Sequence, residues 1–365
     1  MDVPHELDYR PRFPRDRSPG IGCVGAGFIM ADCHLVAYKN AGFRPVAIAS
    51  RTRARAEEVA KRHAIPRVHA TIDELLSDTA VEVLDIALPP HAQPEVIFAA
   101  LEQSHIRGIL AQKPLALSYD EARRLVDRAR DAGKVLAVNQ NMRYDPAIRA
   151  LKDVLRRGLL GEPVLATIDM RAIPHWMDWV RSYGKLSFWV MSIHHLDAFR
   201  FLFGDPERVL ASCRPDPRTT FEHRDGIDLY ILEYANGMRC VGIDDVWTGP
   251  AREGAAADIG IRFRVEGTDG LAQGTIEWPR WPEHAPSTLR YTSKRIGERW
   301  IEPRFKEAWF PDAFEGTMAQ LLVALEEGTE PEMSGEDNLR TIALVEACYR
   351  GATEHRVVEP REVES

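Results

Sequence analysis

Between residues 20 and 141 short apolar runs alternate with stretches of helical periodicity, the pattern expected of parallel strands joined by crossover helices. The runs predict strands at 21–24, 45–50, 83–88, 106–111 and 135–139. Helices fit between them at 52–63, opened by Thr52 in an N-cap position, and at 94–103, with Pro94 in the first turn. Five strands with helical crossovers predict a doubly wound parallel α/β sheet, and 20–141 is read as one domain.

Beyond about residue 143 the pattern changes. Segments 163–173, 208–214, 226–233, 238–246, 259–266, 271–277 and 288–293 read as strands, with Asn236-Gly237 and Asp269-Gly270 as hairpin turns. Helices at 312–327 and 335–354 close the chain. These elements predict a second α/β domain over 142–365 with a mainly antiparallel, open sheet. Residues 1–19 fit neither pattern and contain no apolar run of the kind a secretory signal needs, so they are expected to form a mobile or partner-draped arm.

Composition narrows the class without changing the architecture. Hydrophobic residues make up 45% and charged residues 28%, as in ordinary globular proteins, and no run of about 18 apolar residues predicts a membrane span. A formal net charge of -8 provides no general basic field for nucleic acid. The cysteines, Cys23, Cys33, Cys213, Cys240 and Cys348, are scattered and never form a C-x-x-C pair, which fits a reducing cytoplasm and provides no zinc spacing.

Candidate chemistry begins just after the first predicted strand. Ile21-Gly22-Cys23-Val24-Gly25-Ala26-Gly27-Phe28-Ile29-Met30 places Gly25 and Gly27 where a tight turn admits a pyrophosphate to a helix N-terminus. Gly20, Gly22 and Gly25 also spell G-x-G-x-x-G, but that frame puts the turn inside the strand. In the preferred frame Met30 replaces the third glycine. The second strand ends about 20 residues on, where a ribose-reading residue belongs. There the chain reads Ala49-Ser50-Arg51-Thr52 in place of the Asp or Glu usual for NAD. Arg51 can pair with a 2′-phosphate and Ser50 can hydrogen-bond it, which favours NADP, while Arg51 as a solvated loop residue leaves NAD open.

Gly25-Ala26-Gly27-Phe28-Ile29, Ser50-Arg51, Pro89-Pro90-His91, Gln112-Lys113-Pro114 and Ser192-Ile193-His194-His195-Leu196-Asp197 together resemble the Gfo/Idh/MocA oxidoreductases, the glucose-fructose oxidoreductase and inositol dehydrogenase group. The resemblance runs from about residue 20 to 359 and includes Ser334-Gly335-Glu336-Asp337 before the final helix. It implies a Rossmann domain followed by an α/β domain whose open sheet carries the substrate site and commonly an oligomer interface, hence a homodimer or homotetramer. It also implies hydride transfer between NAD or NADP and a carbon of a sugar, inositol or related polyol or keto-sugar. On the matching positions, the cofactor contacts are Gly25, Gly27, Phe28, Ile29, Ser50, Arg51, Leu88, Pro89, His91, Gln112 and Lys113. The family's Glu-Lys-Pro signature stands here as Gln112-Lys113-Pro114, and its Asp-x-x-x-His pair as Val190 and His194, without the carboxylate.

Oxidising a secondary alcohol requires a group that takes the hydroxyl proton, and reduction requires one that returns it. Lys113 and His194 are the candidates. The lysine follows a predicted strand end, where an ammonium can polarise the reacting oxygen, and the histidine titrates near neutrality. His195 points about 100° away on a helix, so one of the two faces the interdomain cleft. Val190, four residues before His194, can share its helical face but cannot orient the imidazole. Asp197 is expected to be structural, pairing with Arg200 or Arg143.

Substrate contacts are expected from Lys113, His194, Arg143 and Trp176. Arg143 follows the last strand of the first domain and either points into the cleft or begins a helix. His175-Trp176-Met177-Asp178-Trp179 can offer aromatic planes to a sugar ring, although core packing or an interface accounts for such tryptophans equally well. Trp309 and Phe310 carry the same ambiguity. Two other functions compete: nicotinamide-assisted glycoside cleavage or elimination, and a non-catalytic dinucleotide-binding subunit, in whose favour Met30, Gln112 and Val190 count.

Overall fold

A computed structural model describes residues 6–172, 178–219, 221–246, 259–277 and 283–364. The chain divides into two compact units, each built from separated stretches. One comprises Pro11–Tyr144 and Phe310–Leu339; the other comprises Met1–Arg10, Asp145–Trp309 and Arg340–Ser365.

The first unit holds a six-stranded sheet: β1 (Gly20–Val24), β2 (Arg44–Ala49), β3 (Arg67–Val68), β4 (Val83–Ile86), β5 (Gly108–Ala111) and β6 (Val135–Val138). All neighbours are parallel in the order β3-β2-β1-β4-β5-β6. Every residue of β1, β4 and β5 is buried, as a sheet covered on both faces requires. Crossovers are supplied by α1 (Leu35–Ala41), α2 (Arg53–His63), α3 (Ile72–Leu76), α4 (Gln93–Leu101) and α5 (Tyr119–Asp131). The Thr71 and Ser118 hydroxyls accept from the Glu74 and Glu121 N–H groups at 3.1 and 3.3 Å, closing the first turns of α3 and α5. Thr52 occupies its expected cap position, but its side chain makes no capping bond.

Two features of this unit depend on distant contacts. The helix Ala313–Glu327 returns from the far end of the chain to cover β5, and a Cβ placed on Gly108 would sit 3.0 and 3.1 Å from Leu325 and Leu321. Residues 11–19, expected as an arm, lie against their own unit. Phe13 meets the Phe43 ring at 6.1 Å, Arg17 donates to the Ala41 carbonyl at 2.7 Å and Arg12 to Glu327 at 2.8 Å. Scattered aromatic and arginine contacts hold the segment, and hydropathy alone cannot register them.

The second unit contains α6 (Pro146–Arg156), α7 (Asp178–Arg181), α8 (Ile193–Phe203) and a seven-stranded sheet. Its strands are β7 (Pro163–Ala172), β8 (Arg208–Arg214), β9 (Ile227–Glu233), β10 (Arg239–Val246), β11 (Gly260–Gly267), β12 (Gly270–Ile276) and β13 (Thr288–Ser293), in the order β13-β12-β11-β7-β10-β9-β8. Each pairing is antiparallel except β7 with β10. Alternate residues are buried on β7 and β10, so one face of the sheet packs and the other stays open. Leu210, Leu229 and Ile231 are exposed on that open face, Leu210 being paired with Ile231 across β8 and β9. Asp145 caps α6 by accepting from the Ala147 and Ile148 N–H groups at 2.9 and 3.2 Å. Among the described residues, no helix is long and apolar enough to cross a membrane.

Candidate active site

The glycine turn forms at the reversal of strand order, where ligands of doubly wound sheets bind. Gly25 adopts φ +101°, and a Cβ there would lie 2.6 Å from the Ala87 carbonyl oxygen in the loop after β4. Glycine is therefore required for the loops after β1 and β4 to meet. The Gly27 carbonyl accepts from the Ala31 N–H at 2.8 Å, beginning a helical path that is π-helical over Ile29–His34 before α1. A Cβ on Gly27 meets no protein atom within 4 Å. That open approach to the backbone fits a diphosphate. Gly20 and Gly22 have a different role, since a Cβ on either would strike Ala80 or Val81 in the segment leading into β4. Met30, where a third glycine would stand, is fully buried.

The remaining predicted cofactor positions lie after the same edge of the sheet. Ser50 is half-buried and Arg51 exposed after β2; Leu88 and Pro89 are half-buried after β4, with His91 exposed in the 3-10 turn Pro90–Ala92. Phe28 is exposed just beyond the glycine turn. Arg55, which sequence reasoning missed, donates from Nε to the Ala26 carbonyl at 3.3 Å and from Nη1 to Glu58 at 2.6 Å. The alternating arginines Arg51, Arg53 and Arg55 were the available signal.

Gln112 and Lys113 follow β5. The Gln112 side-chain oxygen accepts the Lys113 N–H at 2.9 Å. The Gln93 side chain accepts the Gln112 N–H at 2.7 Å and donates to the Gln112 and Pro114 carbonyls, both at 3.0 Å. Lys113 retains some accessible surface, yet the protein packed around it strips its amine of water and pushes its pKa down to about 7. Near neutral pH, both the amine and the ammonium are therefore populated.

Arg143 lies in the 3-10 turn Asn141–Tyr144 after β6. It is buried, with Nη1 donating to the Glu332 carbonyl at 2.5 Å and Nη2 to the Asp337 carboxylate at 2.6 Å. These bonds tie the end of the first sheet to the segment returning from the C-terminal half. Asp197 pairs with Arg200 at 3.9 Å, as expected, and also accepts from the Thr341 hydroxyl at 2.8 Å.

In the second unit His194 is buried in α8, its ring edge-on to Trp309 with centroids 5.6 Å apart. His195 is engaged elsewhere, its Nδ1 lying 2.8 Å from Asp244 Oδ1. Val190 lies in a π-helical turn, Phe188–Ser192, so the α-helical spacing that would align it with His194 does not apply. Trp176 lies outside the described residues. No group of three His, Cys, Asp or Glu able to hold a metal occurs among the described residues.

Residues 20–140 match the model of an oxidoreductase family with an NAD-binding Rossmann fold, and residues 148–273 match the GFO/IDH/MocA C-terminal domain. A D-apiose dehydrogenase from Paraburkholderia graminis is 27% identical over 94% of this chain and 90% of its own length. A 1,5-anhydro-D-fructose reductase from Ensifer adhaerens is 23% identical over 93% and 97%. The structure of aldose-aldose oxidoreductase from Caulobacter crescentus complexed with glycerol superposes with TM-score 0.79 and 20% identity, covering 94% of this chain and all of that one.

The two turn glycines are expected to fail differently. Gly27→Ala retains wild-type stability within about 0.5 kcal/mol yet weakens binding of the nicotinamide dinucleotide, NAD or NADP, at least about tenfold, whereas Gly25→Ala loses about 1–3 kcal/mol of stability as well. Thermal unfolding and calorimetric titration check both. Undiminished binding by Gly27→Ala would rule out this turn as the phosphate cradle.

Proposed function

Because the chain belongs to the Gfo/Idh/MocA oxidoreductase family, we propose that it transfers hydride between a nicotinamide dinucleotide and a CH–OH carbon of a sugar, inositol or related polyol, or the matching keto-sugar. The observation that carries this reading is the Lys113 amine, depressed to about 7 at the end of a strand in the sheet that bears the glycine turn. Two relatives named for D-apiose and 1,5-anhydro-D-fructose support the substrate class.

The nicotinamide, when bound, supplies the hydride acceptor or donor. Lys113 handles the proton: the neutral amine takes it from the hydroxyl during oxidation, and the ammonium returns it during reduction. As an ammonium it also stabilises negative charge on the reacting oxygen. His194 is the second proton-exchanging group, its ring fixed against Trp309. Trp176 remains in the proposed substrate surface. Arg143 also stays in it, with Asp337 and Glu332 fixing its guanidinium. Met30, Gln112 and Val190 still count for the non-catalytic reading, and the described residues add no observation for it or for the glycoside-cleaving one.

NADP is the preferred dinucleotide in this reading. Arg51 is exposed after β2, Arg55 reaches the phosphate turn, and no Asp or Glu occupies positions 49–52. The protein is further proposed to be a homodimer or homotetramer through the open sheet. Leu210, Leu229 and Ile231 form an apolar patch there, bordered by Arg208, Glu233 and Arg239 in ion pairs of 2.9 and 3.2 Å.

For polyol oxidation, kcat/KM rises with pH and levels off above an inflection near 7, whereas ketose reduction falls through the same inflection; absorbance of the reduced nicotinamide follows either direction. Lys113→Met removes the inflection and lowers kcat about 10²–10⁴-fold, so wild-type turnover in that variant would eliminate the assignment. Arg51→Ala lowers the NADPH-to-NADH ratio of kcat/KM at least about tenfold, and an unchanged ratio would place NAD on equal footing. Leu229→Glu combined with Ile231→Glu dissociates the oligomer in sedimentation velocity, a claim that ends if the unmodified protein already sediments as a monomer.

A further inference from the structure

We infer that Gln93 is a positioning residue for Lys113, its side-chain amide gripping the backbone on both sides of that lysine. The inference rests on the catalytic reading of Lys113 given above. A glutamine amide has two N–H donors and an acceptor oxygen. At Gln93 the nitrogen donates to the Gln112 and Pro114 carbonyls at 3.0 Å each, and the oxygen accepts from the Gln112 N–H at 2.7 Å. Lys113 stands between the two residues so held.

Position strengthens the case. Gln93 is fully buried, so water does not replace a bond lost there. It is also the first residue of α4, directly after the Pro90–Ala92 turn. One side chain therefore joins the loops leaving β4 and β5, which carry His91 and Lys113. A long flexible lysine stem holds its amine in one place only if the backbone beneath it is fixed. The surroundings that dry the amine act on it only while that place is kept.

The test compares Gln93→Leu and Gln93→Glu with the unmodified full chain. Leucine removes all three bonds, whereas glutamate preserves side-chain length and the accepted bond but loses both donated ones when ionised. The Lys113 titration is read by NMR of lysine labelled at Cε, assigned through the signal lost in Lys113→Met. In Gln93→Leu the midpoint is expected to move up from about 7 by a unit or more towards the ordinary value of 10.5, with kcat falling about 10- to 100-fold. Gln93→Glu is expected to lose less turnover than Gln93→Leu. An unmoved midpoint in a folded variant overturns the proposal, and Gln93→Glu alone decides if Gln93→Leu does not fold. A midpoint that moves while turnover stays constant upholds the positioning and instead removes Lys113 from catalysis.

Discussion

An amine exchanges protons with an alcohol near neutral pH only where the protein makes its charged form costly, and at Lys113 that cost comes from exclusion of water. In water a lysine of pKa about 10.4 is almost entirely ammonium at pH 7 and cannot act as a base. Lys113 follows β5 after one residue, and β4 and β5 are buried along their whole lengths. The same parallel order brings the glycine turn and the loop after β4 together, as the contact demanded of Gly25 with Ala87 makes plain. Fold and proposed chemistry therefore meet at the carboxyl ends of the strands.

Much of this edge was readable because its determinants are local. Apolar runs located five of the six strands, and the glycines marked the turn after the first. The competing glycine frame is separated by packing: Gly20 and Gly22 fit against the segment leading into β4, whereas Gly27 leaves its backbone approachable. The third strand has only two residues, too few to create a pattern. The π-helical turns at Ile29–His34 and Phe188–Ser192 also escape a method that assumes one helical period.

Residues held by long-range partners were the least legible. Gln93 reads as an ordinary helix-start residue until the loop after β5 is folded beside it, and Arg143 finds its carboxylate at Asp337, nearly two hundred positions away. Arg55 becomes relevant only when α2 brings it to Ala26. In the second unit the hairpin turns predicted antiparallel neighbours, but the parallel union of β7 and β10 requires a crossover that turn residues do not encode. Similarly, the His195 contact with Asp244 joins a helix to a strand far along the chain.

The return of Ala313–Glu327 onto β5 has a consequence for biosynthesis. A ribosome releases the six strands of the first sheet long before Leu321 and Leu325 exist, so the nascent chain carries a sheet whose apolar cover has yet to be translated. This unit cannot complete its core in N-to-C order, and its last step is docking of a helix made near the end of synthesis.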